Sequence, residues 1–333
     1  MPYFSIIIPV YNRPDEVNEL LESLATQTFT DFEVILIEDG SSLKCNLIAQ
    51  KYDNILNVRY YYKENSGRSE TRNYGMEKAE GEYFVFFDSD CVIPPSYFEK
   101  IKNKLTLNYT DSYGGPDKAD KSFSNLQKAI NFSMTSFLTT GGIRGSKGPK
   151  MEKFVPRTFN MGFSKGVYHK VGGFKDMFGE DIDLSLRIRN QGFTCQLISD
   201  AFVYHKRRVS LRSFYRQVNV FGMARISLYL LHPNSLKPVH ALPAIFTIAT
   251  FLILLASLWF PWILIPLIAY YALIFIISWL EYKKLSIGVL SVITTAIQLY
   301  GYGLGFLKSY FEKVIIGKRQ TEKEELNKYY NKK

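Results

Sequence analysis

An α/β domain built on a mostly parallel central sheet flanked by helices, followed by a C-terminal helical membrane region, is the architecture that this 333-residue sequence predicts. Three observations predict it. Short apolar runs alternate with helix-patterned stretches through residues 4–87, several runs end in polar or acidic residues, and residues 241–280 hold about forty positions without a charge. A β-α-β-α order implies parallel strands joined by right-handed crossovers. An uncharged stretch of that length is enough for two membrane spans.

The elements follow in order. Residues 4–10, Phe-Ser-Ile-Ile-Ile-Pro-Val, read as a first buried strand, with Tyr11-Asn12-Arg13 as the turn after it. Residues 14–27 place Val17, Leu20, Leu21 and Leu24 at helical spacing, with Pro14 in a first-turn position and Asp15 and Glu16 suited to the helix N-terminus. Residues 32–37 form a second apolar strand that runs into Glu38-Asp39-Gly40-Ser41-Ser42. A third strand at 58–62 precedes Glu64-Asn65-Ser66-Gly67-Arg68 and a helix to about residue 79. Residues 83–87, Tyr-Phe-Val-Phe-Phe, are a fourth strand of the kind buried on both faces, and they lead straight into Asp88-Ser89-Asp90. Ligands in open α/β sheets sit beyond the carboxyl ends of the strands, so these carboxylates are delivered to a ligand edge. Asp88 and Asp90, two positions apart, suit Mg²⁺ or Mn²⁺ that also holds phosphate oxygens; the same spacing fits a solvated acidic turn. Neither a Gly-x-Gly-x-x-Gly nor a P-loop follows the first strand, which weakens dehydrogenase and NTPase readings.

The formal charge of +10 fits nucleic acid, an anionic membrane surface or a phosphorylated substrate. Cys45, Cys91 and Cys195 are far apart and lack metal-ligand spacing, so reduced thiols in a cytoplasmic setting are expected. Residues 1–10 have no basic n-region, and no secretory signal is expected there.

Ser5-Ile6-Ile7-Ile8-Pro9-Val10-Tyr11-Asn12, Glu38-Asp39-Gly40-Ser41, Asn65-Ser66-Gly67-Arg68, Asp88-Ser89-Asp90 and Gly179-Glu180-Asp181-Ile182-Asp183-Leu184, in that order and spacing, resemble the family 2 glycosyltransferases of the GT-A fold. The resemblance covers about residues 3–205. It implies an inverting enzyme that moves a sugar from a nucleoside diphosphate donor to an acceptor hydroxyl. It also implies a donor-binding set of Pro9, Tyr11, Asp39, Arg68 and Asp88. Within that set Tyr11 packs on the base, Asp39 bonds to it (uracil for a UDP-sugar), Arg68 lies near base or phosphate, and Asp88 approaches the ribose or metal. Asp90 is the main metal ligand it implies, and Asp181, second of the Glu-Asp pair, the general base. Glu38 departs from the usual Asp-Asp-Gly-Ser, with little expected consequence because the second acid matters more.

Beyond the fourth strand, a helix is expected at 96–108, a strand at 112–116 and another at 159–163. Residues 117–156 are Lys-rich and irregular, with Gly141, Gly142, Gly145 and Gly148, and read either as a mobile acceptor-side flap or as a plain flexible insertion. Gly179 introduces a helix at whose start Asp183 reads as a dipole partner. Strands at 193–198 and 201–205 follow, the second ending at His205, which is either a core or surface histidine or, as in some related enzymes, a third metal ligand.

The expected domains are a catalytic domain at 1–205, a basic amphipathic interfacial segment at 206–240, a membrane region at 241–307 and a basic cytoplasmic tail at 308–333. The second segment carries Arg207, Arg208, Arg212, Arg216 and Arg225 among aromatics. In the third, a hairpin turns near Pro261-Trp262 and is followed by a re-entrant or interfacial apolar segment at 285–307. Lysines and arginines crowd the hairpin's flanks and are absent from its turn, so those flanks, and the active site, are expected on the cytoplasmic face of a cell inner membrane, with the chain multi-pass. A span at 285–307 would carry the lysine-rich tail outside, against that rule. The acceptor expected beside such an anchor is a polyprenyl-linked glycan or glycolipid in surface polysaccharide synthesis, with no nucleic acid bound. Two alternatives stand: direct transfer to polyprenyl phosphate, and a non-catalytic membrane scaffold that keeps a nucleotide-sugar fold.

Overall fold

Phe4–Val10 (β1) is apolar at all positions but one, and only Pro9 in it is not fully buried, because strands cover both of its edges and helices both of its faces. The computed structural model describes residues 1–118, 123–140, 155–206, 209–318 and 324. Those before 119 and those at 155–206 form one unit; those at 123–140 and from 209 on form a second.

In the first unit β1 is followed by α1 (Pro14–Ala25), β2 (Phe32–Asp39), α2 (Asn46–Tyr52), β3 (Val58–Lys63), α3 (Arg68–Lys78) and β4 (Tyr83–Phe86). Then come β5 (Cys91–Val92), α4 (Tyr97–Leu107), β6 (Ser112–Gly114) and β7 (Asp117–Lys118). In the second unit α5 (Asn125–Thr135) and α6 (Phe137–Thr140) follow, and the chain re-enters the first with β8 (Met161–Ser164), α7 (Lys165–Val171), α8 (Glu180–Asn190), β9 (Cys195–Leu197) and β10 (Val203–His205). The second unit ends with α9 (Leu211–Leu231), α10 (Pro238–Ala256), α11 (Ile265–Tyr282) and α12 (Leu285–Tyr310).

The main sheet has the order β3-β2-β1-β4-β8-β6-β9. The first four strands are parallel, and β8 runs against both β4 and β6, so the sheet is mixed and GT-A-like. The chain builds outward from β1 to β3 and then returns to place β4 on the other side of β1. This reversal opens a crevice at the carboxyl ends of β1 and β4, the place where such sheets take ligands. A smaller sheet, β5-β10-β7, joins the end of β4 to the end of the unit.

Alternation along β1 divides the core: Ile6 and Ile8 face Leu20, Leu24, Phe98 and Ile101, while Ile7 joins Ile35, Met76, Phe84, Phe86, Phe163 and Leu184 on the other face. Each such fully buried side chain contributes about 1.5–3 kcal/mol. Gly75 of α3 lies where a Cβ would fall 2.5 Å from Ile7 Cγ2, so α3 sits against β1 closely enough to fix where Arg68 and Arg72 project.

The second unit is helical. Residues 125–135, expected within an irregular flap, instead form α5, opened by a capping box between Ser124 and Gln127 and packed on α12 through Thr294, whose hydroxyl donates to Ala129 O. The helix forms because Ala129, Ile130, Phe132 and Met134 find an apolar partner that irregular chain would leave exposed. The flap's glycines, with Arg207, Arg208 and the chain from 319 apart from residue 324, lie outside the described residues. α9 is no isolated surface helix, since it buries Phe214, Val218, Met223 and Ile226. At its crossing with α12 small residues allow close approach, as the Gly301-to-Gly305 run suggests: a Cβ on Gly222 would sit 2.1 Å from Tyr302 O, and one on Gly305 2.2 Å from Asn219 O. Three stretches, Pro238–Ala256, Pro261–Tyr282 and Leu285–Ile315, are long and apolar enough to cross a membrane. α12 is one unbroken helix, without the internal turn a re-entrant segment needs.

Gly75→Val is expected to destabilise the protein by about 1–3 kcal/mol through overpacking against Ile7 and Ile37, read as a lower midpoint in thermal unfolding of the detergent-solubilised chain.

Candidate active site

Each group at the carboxyl edge is held by a donor from a different element. After β1, Asn12 adopts φ 54°, and its side-chain oxygen accepts from the backbone N–H groups of Ser42 and Leu43 while its own N–H donates to Ser41 Oγ. This locks the first turn to the loop after β2. Tyr11 stands exposed beside it, and Pro9 lies within β1 opposite Ile37.

Glu38 and Asp39 close β2 and are both buried. Glu38 accepts from Cys45 N–H and the Tyr60 hydroxyl, so its longer side chain anchors the next helix from inside the core. Burial and the adjacent Glu38 push the Cys45 thiol up to about 12, which keeps it neutral. Asp39 accepts from the backbone N–H of Ser66 at 2.9 Å and of Gly67 at 3.0 Å and pairs with Lys63. In this structure it therefore clamps the loop that leads into Arg68.

Arg68 and Arg72, one turn apart on α3, both reach Glu180 at the start of α8, at 2.8 and 3.1 Å. Arg72 also donates to Asp88 Oδ1 at 2.7 Å. The Arg72 and Glu180 side chains are each only 3% exposed, so their pair is desolvated and barely screened, while the Asp88 end of the bridge is 34% exposed. Asp183 has a purely structural place, buried between Lys175 and Arg187.

Next to Glu180, Asp181 accepts from Arg157 at 3.3 Å and from Ile182 N–H at 2.8 Å. Burial works to raise its pKa, but Arg157, Arg68 and the N–H outweigh it and hold the carboxyl below the usual carboxylate range. Gly179, at φ 82°, starts the helix in the left-handed region and so turns the Glu-Asp pair toward α3 and Arg157.

Asp90 sits beyond β4: Oδ2 takes Arg13 at 3.1 Å, and Oδ1 is buried 3.1 Å from His205 Nε2 without a hydrogen bond to it. His205 stacks on Phe159, and its Nδ1 is buried without a hydrogen-bond partner. Burial opposes a charge on this imidazole, yet the adjacent Asp90 carboxylate raises its pKa overall. Asp90, Cys91 and His205 bring their ligating atoms within 4.8 Å of one another. Cys91 does not fit as a ligand, because burial pushes its thiol well above the ordinary value and its Sγ is turned to Phe159 O. Asp90 and His205 do fit a divalent cation that completes its shell with ligand oxygens and water, Mn²⁺ accepting the imidazole more readily than Mg²⁺.

The structure thus joins Arg68 to Asp88 through Glu180 and Arg72, with Asp39 bonded to the loop before Arg68 and Asp181 next to Glu180, and brings Asp90 and His205 together in a second cluster two residues beyond Asp88. Four participants were not assigned a role from the sequence. Arg72 follows Arg68 by one helical turn, a usable signal for a shared face. Glu180 was visible as a motif residue. Arg13 and Arg157 carried no signal, since each meets its carboxylate across a long sequence separation.

The family model described as "Glycosyl transferase family 2" matches residues 5–172. The chain belongs to that family. This glycosyltransferase is 38% identical over 159 residues to an uncharacterized glycosyltransferase of Rickettsia bellii, a match covering 46% of this chain but only 22% of that protein. It is 41% identical over 106 residues to the minor teichoic acid biosynthesis protein GgaB of Bacillus subtilis, covering 30% of this chain and 12% of that one. A mannosyltransferase from Pyrobaculum calidifontis, solved with GDP-Man and Mn²⁺, superposes with a TM-score of 0.57 over 96% of this chain and 88% of its own at 15% identity, a likeness of fold.

Arg72→Met is expected to leave Glu180 with Arg68 as its partner and Asp88 turned to solvent, and to cost about 1–3 kcal/mol of stability, with the double variant Arg72→Met/Glu180→Gln recovering part of it; unfolding midpoints of the three proteins check this.

Proposed function

We propose that this family 2 glycosyltransferase inverts the anomeric centre of a nucleoside diphosphate sugar, UDP-linked in the first instance, as it transfers the sugar to the hydroxyl of a membrane-linked acceptor. The observation that carries the reading is the placement of Asp181: an ionised carboxylate whose neighbour Glu180 is bolted through Arg72 to the strand end bearing Asp88. A base on one side and a leaving-group site on the other is what in-line displacement at a sugar carbon requires.

In this reading Tyr11 stacks on the base and Asp39 and Arg68 frame the nucleotide, while Pro9 sets the start of the turn. The acceptor oxygen bonds to the anomeric carbon as the bond to the diphosphate breaks, and its proton passes to Asp181. Arg157 and Arg68 keep Asp181 unprotonated before that transfer. Asp90 and His205, with Asp88 beside them, would hold Mg²⁺ or Mn²⁺, which when bound supplies Lewis-acid stabilisation of the charge growing on the diphosphate. Arg13 holds Asp90 from the opposite side to His205.

The apolar helices of the second unit support attachment to a membrane, with the lysines around them favouring the cytoplasmic face. Confinement there raises the effective concentration of a lipid-linked acceptor, and polymer assembly of the kind named for GgaB is the setting it suits. Direct transfer to polyprenyl phosphate is separated from this by extracting and identifying the lipid product.

The deciding experiment is transfer from a panel of UDP-, GDP- and dTDP-sugars into membrane lipid. Transfer with inversion supports the proposal; retention of configuration, or no nucleotide-sugar turnover with any donor, would refute it. Asp181→Asn should lower kcat by about 10³-fold and leave the Kd for nucleotide unchanged by calorimetry. Because Arg157 depresses the Asp181 pKa, activity should persist as pH falls toward the ordinary carboxylate range, and Arg157→Gln should move the acid limb of the kcat profile to higher pH. Chelation with EDTA should remove activity and Mn²⁺ restore it, while His205→Gln should need about tenfold more Mn²⁺ for half-saturation.

A further inference from the structure

The chain passes between the two units three times: it leaves the first after β7, returns ahead of Arg157 and leaves again after β10. On the side of the first unit, one residue fastens all three stretches together. Asn160 is fully buried, and its amide nitrogen donates to Pro116 O, just before β7, at 3.2 Å and to Ala201 O, just before β10, at 2.8 Å. Both partners are backbone carbonyls, which only accept, so the nitrogen has to face them and the amide oxygen is left to take the Tyr97 hydroxyl of α4. The backbone of Asn160 is engaged as well: Gly115 N–H donates to its carbonyl at 3.1 Å, and its own N–H donates to Arg157 O at 2.9 Å. A Cβ on Gly115 would fall 1.9 Å from Ala201 O and 2.3 Å from Asn160 Nδ2, so the stretches meet here with no room to spare.

The bond back to Arg157 closes residues 157–160 into a tight turn, reinforced by a bridge between its two ends. This turn touches both halves of the site. Arg157, at its start, lies 3.3 Å from Asp181 Oδ2. Phe159, next to Asn160, stacks on the His205 imidazole with centroids 4.8 Å apart and planes 23° from parallel, and its carbonyl accepts from Cys91, the residue after Asp90.

A histidine that ligates a metal ordinarily has its ring fixed by a hydrogen bond from its other nitrogen. His205 Nδ1 is buried and has no such bond among the described residues. The face of Phe159 therefore sets the plane of the imidazole, and Phe159 is held by the anchored residue beside it.

We propose that the 157–160 turn positions both reacting ends of the site, with Asn160 as its anchor, Phe159 setting the plane of His205 and Arg157 the place of Asp181. The inference rests on the base and cation roles proposed above, and it adds Phe159 and Asn160 as positioning residues that act through His205 and Arg157. Ordinary packing residues would act independently of those two groups; positioning residues lose their effect once the groups are gone.

Mn²⁺ binding to the full-length protein in the presence of UDP, read as free Mn²⁺ by electron paramagnetic resonance without turnover, tests the first half. Phe159→Leu keeps an apolar side chain but removes the ring face, and should weaken Mn²⁺ binding by up to about tenfold. In the His205→Gln background the same change should add less than about twofold. Equal weakening in both backgrounds, or none in either, overturns the role of Phe159. Asn160→Ala tests the anchor: at saturating Mn²⁺ it should lower kcat by about 10²-fold and leave the Kd for UDP without metal unchanged, and in the Arg157→Gln background the further loss should be less than about threefold. Equal loss in both backgrounds, or a kcat that does not fall, overturns the role of Asn160. Should Asn160→Ala fail to fold, Tyr97→Phe, which removes only the hydroxyl bond to Asn160, is judged by the same comparison. Wild-type protein that binds UDP but no Mn²⁺, or an active Asp181→Asn variant, refutes the cation or base role itself and this inference with it.

Discussion

A single buried guanidinium, that of Arg72, ties together the two elements on which the site depends. It spans from Asp88, where β4 ends, to Glu180, where α8 begins, segments almost a hundred residues apart in the chain. Charges as well hidden from water as those of Arg72 and Glu180 are tolerated only when matched, so α3 and the start of α8 have little freedom to move separately. Asp181 inherits its position from that constraint. The carboxylate next to Glu180 is steered toward Arg157 and Arg68, and its ionised state follows from the company it is given.

The rest of the catalytic edge is organised by the same kind of exchange between neighbouring loops. Asn12 bonds to the loop after β2, and Asp39 in turn bonds to the loop after β3. Loops that would each be mobile alone are crosslinked where the strand order reverses. Asp90 and His205 stand slightly apart, joined through the small sheet that pairs β10 with β5. The charged groups of the sheet edge thus fall into two clusters with different local electrostatics, one rich in paired arginines and one centred on a carboxylate and an imidazole.

The second unit follows another logic. Its helices are held by glycines that let backbones meet and by hydroxyl-to-carbonyl bonds, the means available where apolar surface gains little by leaving solvent. α5 shows how far this reaches: an insertion between two strands of the catalytic unit is recruited to cover α12.

The sequence by itself determined the α/β architecture, the first four parallel strands, the family and the length and polarity of the apolar helices. Period-two and period-3.6 patterns, unbroken apolar runs and motif spacing are local properties, and they survive being read one segment at a time. Tertiary structure alone decided that Arg72 bridges Asp88 to Glu180, that Arg13 and Arg157 hold Asp90 and Asp181, that residues 125–135 are helical, and that α5 and α9 pack on α12. Those outcomes depend on which distant side chain arrives to satisfy a charge or cover an apolar face. Partner choice of that kind is a property of the assembled fold, and no window of neighbouring residues contains it.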